Sequence, residues 1–293
     1  MNTDSYFEIG SVHQICQDYA FSGSSLDGIY SYAAISDGCS ASGKSHPVDV
    51  GARLLVHSYI SKLFMNKGNL FPDDSLINFS LQTRESYIRH ILYSIAEFAV
   101  QDAHHQIFGF DKQVLDCTLV SLISNGKCLY YSICGDGCVV ILGRKAATVI
   151  DVEFPSGAPF YLSYTMDDDR RKRYTEEFGN KKIVTTKTYD LDTGEEIESI
   201  YAEVAFDNKI TGVLFGDGCP VAAIAISDGY KTFNNESERV STKEEEVLKN
   251  IYSYKNFNGE FVKRRMLSYK KRCHNDGVVH YDDLSVAAIY FGE

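Results

Sequence analysis

The sequence predicts an α+β protein that forms a single domain. Apolar, strand-like segments stand near both ends of the 293-residue chain, and helical segments lie between them without a regular β-α-β rhythm. This order favours α+β over a doubly wound parallel sheet. The first and last strands share one feature, an acidic residue at one end, so we expect them to belong together. The prediction is one domain over residues 1–293, with an inserted flap or hairpin region at about 156–200.

Composition is ordinary for a globular protein, at 44% apolar and 24% charged residues. The net charge of −11 argues against nucleic acid or an anionic membrane as the main partner. No apolar run is long enough for a transmembrane helix, and the first residues lack the pattern of a secretory signal. None of the eight cysteines shows Cys-x-x-Cys spacing. We therefore expect a cytoplasmic protein with buried thiols rather than disulfides or a zinc site. A monomer is our expectation for the oligomeric state.

Acidic residues occur at the ends of four apolar strands. Asp37 follows YAAIS and Asp228 follows AAIAIS, each just before a glycine, and Asp136 follows YYSICG. Asp282 precedes the last strand, in DDLSVAAIYF. Asp-Gly alone is typical of a tight turn, but four acids in this context can converge on one rim. Crowded carboxylates repel one another, and multivalent cations are the usual remedy.

The elements between these strands follow from periodicity and turn signals. Residues 5–21 are interpreted as an opening strand pair, and spacings of three and four in 48–63 predict a helix after a proline. A second helical stretch covers about 75–109, and 116–142 is a predicted β-hairpin with a type I′ turn at Asn125-Gly126.

The second half of the chain also contains predicted strands and helices, interrupted by one charged segment. The charge run at 167–173 predicts a solvated excursion that ends in a β-hairpin, and Gly-Asp-Gly at 216–218 indicates a plain turn. Ser241 to Glu244 has the form of a capping box that begins a helix. A second, basic helix is expected over roughly 259–273.

Four motifs, in the right order and over nearly the whole chain, resemble those of the PPM (type 2C) family of metal-dependent Ser/Thr protein phosphatases. CQDYAF resembles the first acidic motif, and AAISDGCSASG resembles the Asp-Gly-His-Gly motif. DCTLVSLI with CGDG resembles the Gly-Ser/Thr-Thr strand and its Gly-Asp-Ser partner, and ISDGY with DDLS resembles the last two acidic motifs. The matching positions are Asp18, Asp37, Gly38, Thr118, Asp136, Asp228 and Asp282.

The resemblance implies two packed, mainly antiparallel β-sheets flanked by helix pairs, an α-β-β-α sandwich. It also implies a site for two Mn²⁺ or Mg²⁺ ions at one rim, with a third and weaker site as in bacterial members. Asp37 would bridge the first two ions and the Gly38 carbonyl would ligate one of them. Asp228 and Asp282 would hold the second ion, and Asp136 with Asp228 would serve the third.

The implied activity is hydrolysis of phosphoserine and phosphothreonine in proteins, opposing a Ser/Thr kinase. A water shared by two cations deprotonates readily and would attack phosphorus in line. Asp18 would orient this water, so the implied catalytic residues are Asp18, Asp37, Asp228 and Asp282. No cysteine or serine nucleophile is required.

Three positions depart from the family pattern. His13 stands where the family has a phosphate-binding arginine, five residues before Asp18; Gln17 and Cys39 replace a glutamate and a histidine. We assign phosphate binding to His13, although imidazole is a poorer anion donor than guanidinium, and a structural histidine on the first strand is the alternative. A pseudo-phosphatase that serves as a binding or regulatory module, and a hydrolase of phosphorylated metabolites, remain as alternative functions.

Overall fold

The computed structural model describes residues 1–39, 47–71, 81–206, 210–215, 220–235 and 240–292. The helices are α1 (Val48–Met65), α2 (Lys67–Leu70), α3 (Leu81–Gln106), α4 (Asp168–Phe178), α5 (Glu244–Tyr252) and α6 (Phe261–Asn275). Short 3₁₀ turns cover Lys112–Leu115, Leu162–Met166 and Asp228–Thr232. The strands are β1 (Asn2–Glu8), β2 (Tyr19–Ser24), β3 (Ser31–Ser36), β4 (Leu119–Ser124), β5 (Cys128–Cys134), β6 (Gly137–Leu142), β7 (Ala146–Glu153), β8 (Lys181–Asp190), β9 (Glu196–Ala205), β10 (Ile210–Phe215), β11 (Ala222–Ile226), β12 (Phe233–Asn235), β13 (Val240–Ser241), β14 (Val278–His280) and β15 (Leu284–Tyr290).

Two large antiparallel sheets form the centre of the described structure. One has seven strands in the order β1-β15-β11-β6-β7-β8-β9, and the other has five in the order β10-β5-β4-β3-β2. A small sheet, β13-β12-β14, lies beside them. The first and last strands are neighbours, since β1 pairs with β15 along its whole length.

The apolar strands are buried on both faces. In β11, Ala222, Ile224 and Ile226 contact the layer that contains α5 and α6, whereas Ala223 and Ala225 face the five-stranded sheet. Successive side chains of a strand point to opposite faces. A strand between two packed layers therefore has a continuous apolar sequence rather than an alternating one.

A helix pair covers each outer face. The core formed by α1 and α3 lies against β3, β4 and β5, and the core formed by α5 and α6 lies against β6, β11 and β15. The helix-sheet-sheet-helix order confirms the predicted α+β sandwich. Within the described ranges, no helix combines the length and the apolar character that a membrane span requires.

Several predicted elements need correction. Residues 5–21 do not form a strand pair, because β1 and β2 belong to different sheets. His13 consequently lies in the connection between them and not on a strand. The capping-box prediction was also wrong, since α5 begins at Glu244 with Lys243 as N-cap and no side-chain cap.

The turn of the β4–β5 hairpin also differs from its prediction. Ser124 pairs with Leu129, and the Asn125 N–H donates to the Cys128 carbonyl at 3.3 Å, so Asn125 and Gly126 are not the two central residues of the turn. Gly126 adopts a φ of +82°. The Asn125 side chain accepts hydrogen bonds from the backbone N–H groups of Lys127 and Cys128. The turn predicted at 216–218 and the start of the second helix, in 72–80, lie outside the described residues.

Candidate active site

The antiparallel order of the five-stranded sheet brings two of the predicted site residues together. Tyr19 at the start of β2 pairs with Ser36 at the end of β3. Asp18 directly precedes β2 and Asp37 directly follows β3, so both lie at the same edge of the sheet.

The seven-stranded sheet places three more acids at this edge. Ile226, the last residue of β11, pairs with β6 on one side and with β15 on the other. Asp228 follows β11, Asp136 precedes β6 and Asp282 lies just before β15, so all three leave their strands at the same end. Asp136 also lies on the connection that crosses from the five-stranded to the seven-stranded sheet.

These residues surround a cavity of about 200 Å³. Its lining consists of His13, Gln17, Asp37, Gly38, Cys39, Asp136, Gly157, Pro159, Tyr161, Asp228 and Asp282. Asp18 does not line the cavity but is buried next to it, at 1% exposure, where its carboxylate faces Asp37. The structure therefore brings all the sequence-predicted site residues together.

Thr118 and two glycines fix the backbone beneath the acids. The Thr118 backbone N–H donates to the Asp37 carbonyl at 2.8 Å, and its hydroxyl accepts from the Asp37 N–H at 3.1 Å. Gly135 has a φ of +87°, and a Cβ there would lie only 2.9 Å from the Thr118 side chain. Gly137 also has a positive φ, of +112°. The turn that carries Asp136 consequently requires glycine on both sides.

Burial and mutual repulsion dominate the electrostatics of the acids. Burial, followed by the charges of Asp18 and Asp228, raises the pKa of the Asp37 carboxyl well above its usual range. Burial, followed by the Asp228 charge, does the same to the pKa of Asp136. Burial raises the pKa of Asp18 to about 7. Carboxylates in such a place require a proton or a cation to offset the cost of their charge.

The donor set fits a hard divalent cation. Both carboxylate oxygens of Asp18 and the Oδ1 atom of Asp228 are buried and find no hydrogen-bond partner in the described part of the chain. In the described part of the chain, no group of three or more His, Cys, Asp or Glu side chains forms a ready-made metal site. Mg²⁺, however, usually takes one or two carboxylates and keeps several waters. Burial raises the pKa of the Cys39 thiol, so this thiol is a poor metal ligand.

Asp283 is a site residue that sequence reasoning missed. It is 2% exposed, and its carboxylate accepts the backbone N–H groups of Gly10 at 2.7 Å and Gln17 at 2.5 Å. The His13 Nδ1 atom lies 3.1 Å from Asp283 Oδ1 and 3.7 Å from Asp282 Oδ1, without forming a hydrogen bond. Asp283 thus holds the connection that carries His13 and Gln17 against β15. The pair of adjacent acids before the last strand, Asp282 and Asp283, is the sequence feature that could have indicated this role.

Lys231 was missed as well. It lies in the 3₁₀ turn that begins at Asp228, and its ammonium group binds Asp151 at 2.8 Å and also Glu153, both on β7. These carboxylates raise the pKa of Lys231 in spite of its burial. At the other end of the turn, the Thr232 hydroxyl accepts the Asp282 N–H at 3.1 Å. The turn therefore ties the backbones of two cavity acids to β7 and to each other.

The predicted solvated charge run is solvated only in part. Arg170 donates to Asp116 at 2.7 Å, with side-chain exposures of 15% and 10%, and the Ser163 hydroxyl donates to the other oxygen of Asp116 at 2.5 Å. The Asp116 carbonyl accepts the backbone N–H of Cys39 at 2.9 Å. Asp116 therefore joins the segment that contains Tyr161 to the edge of the cavity.

The family is shown by comparison with known proteins. The family model "Protein phosphatase 2C" matches residues 11–159, just over half of the 293-residue chain. The chain belongs to the protein phosphatase 2C family, which confirms the resemblance read from its motifs. A comparison with curated proteins finds no match.

Solved structures agree on the fold. A serine/threonine phosphatase from S. agalactiae matches with a TM-score of 0.52 at 12% identity, over 99% of each chain. A bacterial serine phosphatase matches with a TM-score of 0.51 at 10% identity, over 100% of this chain and 99% of its own. At such low identity these similarities speak for the fold alone.

Proposed function

We propose that this chain is a metal-dependent protein Ser/Thr phosphatase that removes phosphate from phosphoserine and phosphothreonine in the cytoplasm, opposite a Ser/Thr kinase. The observation that carries the proposal is the convergence of Asp37, Asp136, Asp228 and Asp282 on one cavity. Membership of the protein phosphatase 2C family supports the reaction class. A module that only binds partners has no physical reason to keep buried carboxylates that repel one another.

The proposed cofactors are two or three Mn²⁺ or Mg²⁺ ions, since oxygen donors suit these ions better than zinc. When bound, they would acidify the attacking water and neutralise charge on the phosphoryl oxygens. Asp37 and the Gly38 carbonyl would hold the first ion, and Asp37 with Asp228 and Asp282 would hold the second. Asp136 with Asp228 would hold the weaker third ion.

Two residues would act on the reactants directly. Asp18 would orient the attacking water through its carboxylate, which has no hydrogen-bond partner among the described residues. His13, on the cavity surface, would donate a hydrogen bond to a phosphate oxygen. Cys39 needs no catalytic role, because a water attacks the phosphorus and no covalent intermediate is required.

The test is hydrolysis of a phosphothreonine peptide and of p-nitrophenyl phosphate with Mn²⁺, without it, and with EDTA. We expect turnover only with the metal, and Asp37→Asn should remove most of it. The matched control is Asp27→Asn, an exposed acid at the far end of the β2–β3 hairpin, which should leave activity unchanged.

Full activity in EDTA or in Asp37→Asn would contradict the metal assignment. A folded wild-type protein that binds Mn²⁺ but hydrolyses neither ester would favour the pseudo-phosphatase alternative, for which the substitution of arginine by His13 is the motivating observation. Hydrolysis confined to small phosphate esters would favour a metabolite as substrate.

A further inference from the structure

Tyr161 forms part of one wall of the cavity that His13 also lines. This wall consists of Gly157, Pro159 and Tyr161, from the segment that follows β7. Tyr161 is 6% exposed, so the little surface it presents belongs to the cavity. Its side chain lies near the Cys39 thiol and the acids Asp37 and Asp136.

The position of this side chain is well defined. Tyr161 precedes the 3₁₀ turn Leu162–Met166, and its carbonyl accepts the backbone N–H of Tyr164 at 3.1 Å. The two tyrosine rings pack edge to face at 5.7 Å. Ser163, in the same turn, is bonded to the buried Asp116. The ring contact and the anchored turn therefore fix the position of Tyr161 before any substrate enters.

The Tyr161 hydroxyl can serve as a hydrogen-bond donor in this cavity. Carboxylates that are ionised to hold cations cannot donate a hydrogen bond to a phosphate, which leaves His13, Gln17 and Tyr161 as the strong donor side chains among the described residues of the lining. A thiol is a weak acceptor, whereas a phosphate oxygen is a charged one and forms a shorter, stronger bond. Burial, with the charges of Cys39 and Asp136, raises the pKa of Tyr161, so the hydroxyl keeps its proton at physiological pH.

We propose that the Tyr161 hydroxyl donates a hydrogen bond to a phosphoryl oxygen of the substrate, in preference to the neighbouring Cys39 thiol. Tyr161 and His13, which line the same cavity, then both bind the phosphate. The inference deepens the proposed phosphatase function and rests on it.

The experiment compares wild type, Tyr161→Phe and Tyr164→Phe, each saturated with Mn²⁺. Binding of inorganic phosphate is measured by calorimetry, and KM and kcat are measured for p-nitrophenyl phosphate. Loss of one hydrogen bond to a charged group corresponds to about a tenfold to hundredfold weaker affinity. We expect this loss in phosphate affinity and in KM for Tyr161→Phe, with little change in kcat. Tyr164→Phe, which removes a hydroxyl from the neighbouring ring outside the cavity, should match wild type.

Two outcomes overturn the inference: a Tyr161→Phe protein that binds phosphate as tightly as wild type, or a wild-type protein that binds no phosphate. A purely structural hydroxyl would lower the melting temperature without changing phosphate affinity. Failure of the proposed function can be distinguished from failure of this inference. If the protein is not a phosphatase, wild type will show no turnover, but the phosphate titration will still measure the contribution of Tyr161.

Discussion

The two sides of the cavity are built in different ways. The acid rim, by which we mean Asp37, Asp136, Asp228 and Asp282, lies at the ends of strands whose backbones are hydrogen-bonded within the two sheets. The other side, which we call the wall, is formed by the segment 157–178, which contains Gly157, Pro159 and Tyr161 and has no strand. It is held by aromatic packing, such as Phe160 against Phe206 at 4.3 Å, and by the bonds of Ser163 and Arg170 to Asp116.

This difference in attachment predicts a difference in function. An acid at a strand end moves only if the sheet moves, so the geometry of the rim is fixed with the fold. The wall depends on a few side chains, and a partly buried ion pair contributes position more than net stability. We therefore expect substitutions in the rim to change the chemistry, and substitutions in the wall to change substrate binding.

The largest effect is expected for Asp228→Asn in the rim. Turnover of every phosphate ester should fall by more than about a hundredfold, because a proposed metal ligand is lost. In EDTA the melting temperature should rise, because burial raises the pKa of Asp228 and the substitution removes one of the repelling charges. The measurements are kcat/KM with Mn²⁺ and thermal unfolding without it. Asp276→Asn, at the exposed end of α6, is the control. Retained activity would remove Asp228 from the metal site.

The next effect concerns His13, which lines the cavity and lies beside Asp282 and Asp283. If it binds phosphate, His13→Ala should raise KM for a phosphopeptide about tenfold to a hundredfold with little change in kcat, the pattern of lost uniform binding. His13→Arg should restore or improve binding. If His13 instead only positions its neighbours Asp282 and Asp283, Mn²⁺ affinity will fall and KM will not rise, which would contradict the phosphate assignment.

A smaller effect on metal affinity is expected from Lys231→Met, which removes the bond between the Asp228 turn and β7. Supporting contacts of this kind change metal affinity by about tenfold or more. The free energy of unfolding should also fall by about 3 kcal/mol, because Asp151 is left buried without its cation. Glu153 is 48% exposed and adds little to this cost.

The companion variant Lys231→Met/Asp151→Asn removes both charges of the buried pair. It should recover part of the stability but not the Mn²⁺ affinity, which calorimetry and urea unfolding can measure separately. Unchanged Mn²⁺ affinity in Lys231→Met would show that the lysine serves stability alone.

The sequence predicts the rim well and the wall poorly, for a physical reason. Each rim acid lies within two residues of an apolar strand, so a short stretch of sequence carries both the strand and the acid. Asp116 and Arg170 are 54 residues apart, and Asp283 binds Gly10 across 273 residues. No local pattern predicts such contacts, because they depend on the order of strands in the sheets. The mistaken strand at His13 has the same origin, since only the sheet order shows that β1 and β2 do not pair.

The smallest effect, and the most direct test of the wall, compares two arginines of α4. Arg170 faces inward, bonded to Asp116 and stacked over the Tyr164 ring at 4.5 Å. Arg173 is on the exposed side of the helix. Arg170→Gln leaves the buried Asp116 without its cation and loosens the turn that follows Tyr161. We expect KM to rise about threefold to tenfold, which corresponds to roughly one weakened hydrogen bond.

The choice of substrate separates positioning from recognition in this comparison. If Arg170 positions Tyr161, then Arg170→Gln should raise KM for p-nitrophenyl phosphate and for a phosphopeptide by similar factors, because both carry the phosphoryl group. Arg173→Gln should alter only the peptide, by about twofold to threefold, since an exposed charge acts weakly and only on a substrate that extends beyond the cavity. A change restricted to the peptide in Arg170→Gln would mean that the wall selects substrates by charge and does not position the phosphate.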